Sequence, residues 1–199
     1  MDRRHGLPEL LTWDAWRDMG VSLVLAVCLA AACHATVAEA RFIPSGSMLP
    51  TLQIGDRVLI EKVSYHLAAP KRGDIVVFQP PRAVEAFGYD NKIPWIKRVI
   101  GLPGETVTVS HGHVFIDGQP IQEDYIQSPP RYEMPARHVP AGEIFVLGDN
   151  RNHSIDSHIW GCVPLRRVIG RASFRFWPLD HVGDLGTSAP ILAARPQRG

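Results

Sequence analysis

From Arg41 onward the chain falls into short runs rich in Val, Ile, Phe and Thr, separated by stretches carrying Gly or Pro. Both breakers interrupt a helix ladder, so no long helix fits this part of the sequence. The runs Arg57–Lys62, Asp74–Phe78, Trp95–Ile100, Thr106–Ser110, His113–Ile116, Ile144–Leu147 and Gly170–Phe176 read as strands instead. His111-Gly112 and Asp117-Gly118 sit where two-residue hairpin turns belong. Strands in series without helices between them predict a mainly β fold, an antiparallel sheet or barrel rather than βαβ units. The stretch Gln79–Pro94 holds three prolines and reads as a long mobile loop.

Ahead of this region the pattern is different. Met19 to Ala38 is a run of twenty residues without a formal charge, and Trp13 and Trp16 stand just before it. A helix of that length spans about 30 Å, the hydrocarbon thickness of a bilayer, and tryptophan favours the interface. A single N-terminal transmembrane helix is therefore expected. Ala38-Glu39-Ala40 has the small-x-small form of a leader cleavage site, which keeps a removable leader open as the alternative. The expected organisation is a cytoplasmic segment 1–18, an anchor 19–40, an extracytoplasmic domain 41–187 and a loose tail 188–199. Cys28 and Cys33 lie in the run, so Cys162 alone remains beyond it and no disulfide can form there. With 21 Lys plus Arg against 20 Asp plus Glu, the net charge is +1, which argues against a nucleic-acid partner.

Three segments carry polar density in apolar surroundings. Phe42–Leu52, FIPSGSMLPTL, must turn, and it presents Ser45 and Ser47 from the bend; an ordinary polar linker reads equally well from the residues alone. In Trp95–Ile100, WIKRVI, strand alternation puts Lys97 with Trp95 and Val99 and puts Arg98 on the opposite face. Burial of Lys97 would lower its pKa and make the amine a base, whereas a solvated edge strand would leave both cations in water. Gly148–Gly161, GDNRNHSIDSHIWG, packs Asp149, Asn150, Arg151, Asn152, His153, Ser154, Asp156 and Ser157 behind an apolar strand, as a loop supporting a site does. The G-x-S-x-G, S-x-x-K, H-E-x-x-H, Walker and dinucleotide-binding patterns are absent.

Taken in order, PSGSMLPTL, GDIVVF, KRVIGLPGE and GDNRNHSIDS resemble the sequence boxes of bacterial type I signal peptidases, over about Arg41–Trp177. The resemblance implies a signal-peptidase-like β domain on one anchor in the bacterial cytoplasmic membrane, with the domain on the outer side. It implies a serine endopeptidase that removes signal peptides after A-x-A sites, with Ser47 as nucleophile and Lys97 as general base. Ser45, with the Ser47 backbone N–H, matches the oxyanion hole; Ser154 matches the serine that orients the lysine; Asp149 and Asp156 match supporting positions. Ile43, Pro44, Met48, Trp95 and Ile96 match the substrate pocket. The implied partners are preproteins, the lipid bilayer and the export machinery, with no metal or other cofactor. His158 stands where the family commonly has an arginine, and Asn152 where aspartate is frequent. The rival readings are a Ser-His-Asp hydrolase using His153 or His158, a self-cleaving Ser-Lys protease, and an exported binding module without catalysis.

Overall fold

The computed structural model describes residues 13–186 and 191–192 of the 199. The chain divides into two units, Met1–Ala38 and Glu39–Gly199. In the first, helix α1 runs over Trp13–Thr36. Its apolar side chains are exposed from Met19 to Leu29, as are Trp13 and Trp16. The side chains of residues 30–36, in the second half of the uncharged run, lie outside the described residues. Among the described residues no helix is long and apolar enough to cross a membrane.

The second unit is mainly β. Its strands are β1 (Ala38–Phe42), β2 (Arg57–Glu61), β3 (Ile75–Phe78), β4 (Trp95–Gly101), β5 (Thr106–Ser110), β6 (His113–Ile116), β7 (Gln119–Gln122), β8 (Met134–His138), β9 (Glu143–Leu147), β10 (Val163–Pro164), β11 (Val168–Trp177), β12 (Gly183–Asp184) and β13 (Ile191–Leu192). The larger sheet has the order β1-β2-β11-β3-β4-β9-β10, with β12 on β11; the smaller has the order β13-β7-β6-β5-β8. The ladders β2–β11, β11–β3, β3–β4, β4–β9, β5–β6 and β5–β8 are antiparallel. Ile191 and Leu192, within the stretch read as a tail, pair with β7; residues 187–190 and 193–199 lie outside the described residues.

Strand β3 shows why the larger sheet is stable. All four of its side chains are buried. Ile75 and Val77 pack with Ile43, Met48, Leu52 and Val58, while Val76 and Phe78 pack with Val99, Val146 and Trp160. Both faces of the sheet are therefore covered, and alternation distributes β3 between two cores. β5 is instead one-sided: Val107 and Val109 point inward while Thr106, Thr108 and Ser110 do not. The two expected hairpin turns form at His111-Gly112 and Asp117-Gly118, with φ of 50° and 77°, and 50° and 76°, the doubly positive pattern that matches strand twist.

β4 lies between β3 and β9, which pairs it from Arg98 onward, and both Lys97 and Arg98 are buried, so neither cation is solvated. The stretch Gln79–Pro94 is built around a 3₁₀ segment, Arg82–Phe87, and Val84 within it is fully buried in a core. Pro81 stands at the start of this segment, and Gly88, with φ of 81°, ends it.

Candidate active site

The site is assembled from a turn, a strand and a loop. Between β1 and β2 the chain turns through a 3₁₀ segment, Gly46–Met48. Met48 is fully buried beneath it, and the Leu52 N–H donates to the Met48 carbonyl at 3.0 Å. Ser47 therefore stands on a bend that the core anchors. Lys97 arrives from β4, which β3 pairs from Trp95 to Arg98 and β9 pairs from Arg98 to Gly101. Among the described residues, the β9 side of Trp95–Lys97 has no ladder partner.

Lys97 is 4 % exposed. Its Nζ donates to Ser47 Oγ at 2.7 Å and to the Ile96 carbonyl at 3.1 Å. Burial pushes its pKa from 10.5 down to about 8, against the opposing pull of Asp156 and then Asp149. Ser45 Oγ lies 3.4 Å from Ser47 Oγ.

The loop that follows β9 clamps this turn. The Asn150 N–H donates to the Ser47 carbonyl at 3.1 Å, and Asn150 Nδ2 donates to the Gly46 carbonyl at 3.0 Å. Gly148 lies against both elements: a Cβ there would overlap Ser154 Oγ and come within 2.5 Å of the Ser47 carbonyl oxygen. Asp156 accepts from the Gly148 N–H at 2.9 Å and holds His158 Nδ1 at 2.6 Å. The His158 ring stacks on Tyr132 with centroids 4.1 Å apart.

Asp149 takes both arms of Arg98, at 2.8 and 2.6 Å, and also accepts from Thr51 Oγ1 at 2.5 Å. A segment after β7 completes the support. Glu123 accepts two bonds of 2.6 Å from Arg151, whose Nε donates to the Gly148 carbonyl at 3.1 Å. Burial works against the Arg151 charge, but Glu123 outweighs it and holds the guanidinium above its ordinary value. The Tyr125 ring lies 4.0 Å from the Arg98 guanidinium carbon and its hydroxyl donates to Glu123 at 2.5 Å.

A cleft of about 790 Å³ opens over the Ser47–Lys97 pair. The arrangement of a buried lysine with a lowered pKa on a serine under an open cleft suits acyl transfer. The sequence pattern of the signal peptidase family, peptidase S26, matches residues 16–177. The chain belongs to this family. A Synechocystis sp. protein named probable signal peptidase I-1 is 54 % identical over 175 residues, covering 88 % of this chain and 89 % of its own length. The signal peptidase I of Leptolyngbya laminosa is 56 % identical over 170 residues, covering 85 % and 82 %. The crystal structure of a signal peptidase I from Enterococcus faecalis V583 is similar at 32 % identity with a TM-score of 0.44, over 53 % of this chain and 98 % of that one.

Membership in the signal peptidase family makes the chain a serine endopeptidase that removes signal peptides, and sets aside the reading as a binding module. Ser45, Ser47 and Lys97 meet in the cleft, and Pro44, Trp95 and Ile96 line it. Ile43 and Met48, read as pocket walls, do not line it: at 2 % and 0 % exposure they belong to the core under the turn. Ser154 is buried, but its hydroxyl has no hydrogen-bond partner among the described residues, so the expected bond to Lys97 is not formed in this structure. His153 lines the cleft with its Nδ1 3.3 Å from Asn150 Oδ1, so it faces the clamp rather than Ser47. Tyr89, Asp90, Ile93 and Ile155 also line the cleft and were not singled out from sequence. Glu123 and Tyr125 were missed as well, because no local pattern links them to the arginines they hold.

Proposed function

We propose that Ser47 is the nucleophile and Lys97 the general base of this signal peptidase. The supporting observation is the 2.7 Å contact between Ser47 Oγ and a buried Nζ whose pKa is pushed down to about 8. Near that pH a large fraction of the amine is neutral, and its lone pair can accept the Ser47 proton across the same contact. Ser47 Oγ then attacks the scissile carbonyl. The Ser45 hydroxyl and the Ser47 backbone N–H stabilise the oxyanion. The lysine ammonium returns its proton to the leaving amine, and a water activated by the neutral amine hydrolyses the ester. Asp149 and Asp156 hold the loop, and the buried Ser154 hydroxyl orients the amine when it turns toward it.

The preferred cut follows a small-x-small sequence such as A-x-A. The substrate extends along the open β9 side of Trp95–Lys97, adding a strand. Pro44, Trp95 and Ile96 restrict the two side chains that point inward to small ones. Helix α1 anchors the enzyme in the bacterial cytoplasmic membrane with the β unit on the outer side, beside the export machinery; its exposed apolar side chains from Met19 to Leu29 support this. The histidine-based alternative is disfavoured, since Ser47 Oγ meets Lys97 and Ser45 while His158 is bound to Asp156.

The test uses an exported preprotein with an A-x-A site and detergent-solubilised protein, with the new N-terminus read by mass spectrometry. Wild type cleaves after the motif and Lys97→Ala does not. Equal cleavage by both would transfer the role of base to a histidine.

A further inference from the structure

The cleft does not end at the Ser47–Lys97 pair. It continues along the segment that precedes β4, where Tyr89 and Ile93 line it. Both remain exposed, Ile93 at 59 %. A solitary exposed apolar residue needs no explanation. These two differ because they stand on a wall that the fold holds rigid and that is continuous with the nucleophile. The Tyr89 ring packs edge-on against Trp95 with centroids 5.4 Å apart. The Tyr89 N–H donates to the carbonyl of buried Val84 at 3.3 Å, and Asp90 Oδ1 accepts from the Lys92 N–H at 2.8 Å. Gln79 Nε2 donates to the Asn91 carbonyl and ties the segment to the end of β3. The wall is thus preformed, and an apolar ligand that covers it loses little entropy in ordering it.

We infer that Tyr89 and Ile93 are specificity-determining residues, forming a subsite for the apolar residues of the leader peptide that lie just ahead of the small-x-small site. The inference rests on the proposed roles of Ser47 and Lys97. The occupant follows from the chemistry of a leader: its apolar run of about 7–15 residues precedes the small-residue site. A substrate held in the cleft at its small-x-small residues therefore has its apolar side chains upstream, where this continuous apolar wall can cover them. Each methylene buried on such a wall changes kcat/KM by up to about fourfold, so several leucine side chains together exceed tenfold.

The experiment compares three synthetic precursors that share one small-x-small site. One has leucines immediately upstream of it, one has serines there, and one has serines upstream and leucines immediately after the cut. The full-length wild type is expected to cleave the leucine-leader precursor about tenfold more efficiently than the serine-leader one. Ile93→Ser should reduce that preference to about twofold; its exposure makes misfolding a minor concern. An unchanged preference in Ile93→Ser, equal loss on all three precursors, or a preference that tracks the leucines after the cut would each overturn the subsite. Failure of the underlying catalytic reading looks different: no precursor is cleaved by wild type, or Ser47→Ala cleaves them all.

Discussion

Lys97 and Arg98 are consecutive residues of one strand, both cationic by type and both buried, at 4 % and 1 % exposure. The fold treats them in opposite ways. Arg98, on one face of β4, receives a bidentate carboxylate from Asp149, the Gly73 carbonyl at 2.9 Å and the face of Tyr125. Lys97, on the other face, receives a neutral hydroxyl and one carbonyl. Two solutions to the cost of a buried charge are therefore visible one residue apart: supply the counter-charge, or withhold it so that the proton leaves. The first makes a structural strut; the second, on the proposed mechanism, makes a reactive amine. Asp149 and Asp156 still pull the lysine pKa upward, and burial exceeds them.

The comparison breaks most completely when the Lys97 side is altered. Ser47→Ala, Lys97→Ala and the double variant should each lose about a thousandfold or more in kcat, without additivity, because in the proposed mechanism the two groups act as one unit. Lys97→Arg should be as inactive, since a guanidinium keeps its proton; single-turnover assays on one preprotein check all four. On the Arg98 side, Asp149→Asn leaves a guanidinium buried without its carboxylate. It should destabilise the protein by about 3–5 kcal/mol, read from denaturant unfolding.

The next effect sharpens the contrast and concerns pH. The folded-state pKa of Lys97, about 8, lies below its ordinary 10.5. The unfolded chain therefore holds the extra proton between these values, so Lys97 costs stability in full below pH 8 and the cost fades as pH rises toward 10.5. Lys97→Met should relieve about 3 kcal/mol below pH 8, giving a more stable, inactive protein by thermal unfolding. In the active enzyme, kcat/KM should fall about tenfold per pH unit below pH 8. The smallest effect is expected at the loop: His158→Phe keeps a ring against Tyr132 but removes the bond to Asp156, at a cost of about 1 kcal/mol in unfolding free energy.

What the sequence disclosed follows the same division between pattern and partnership. β5, β6 and the centres of β3, β4 and β11 are dense in Val, Ile and Phe and could be read directly. β1, β7 and β8 could not, because AEARF, QPIQ and MPARH each give at most one fully buried residue to the core and carry Pro, Arg, Glu or Gln on open faces. From the residues alone Ser47 was as well explained by a linker, and Lys97 by a solvated edge; only the order of four boxes favoured a site. Burial of Arg98 depends on β9 covering the second side of β4, and Lys97 is met by the Ser47 turn; both partners lie more than 40 residues away in sequence. Tyr125 over Arg98 and Glu123 on Arg151 are contacts of the same long-range kind.

β9 stops pairing at Arg98, and this short interruption has a consequence for how much the enzyme has to know about its substrates. In the proposed docking mode, a substrate strand on the β9 side of Trp95–Lys97 is held through N–H and C=O groups, which every peptide presents alike. Such bonds carry affinity but almost no information. The message is then confined to the few side chains that meet the cleft walls, and everything else in the leader can drift freely. A vocabulary this small lets one enzyme serve many unrelated sequences.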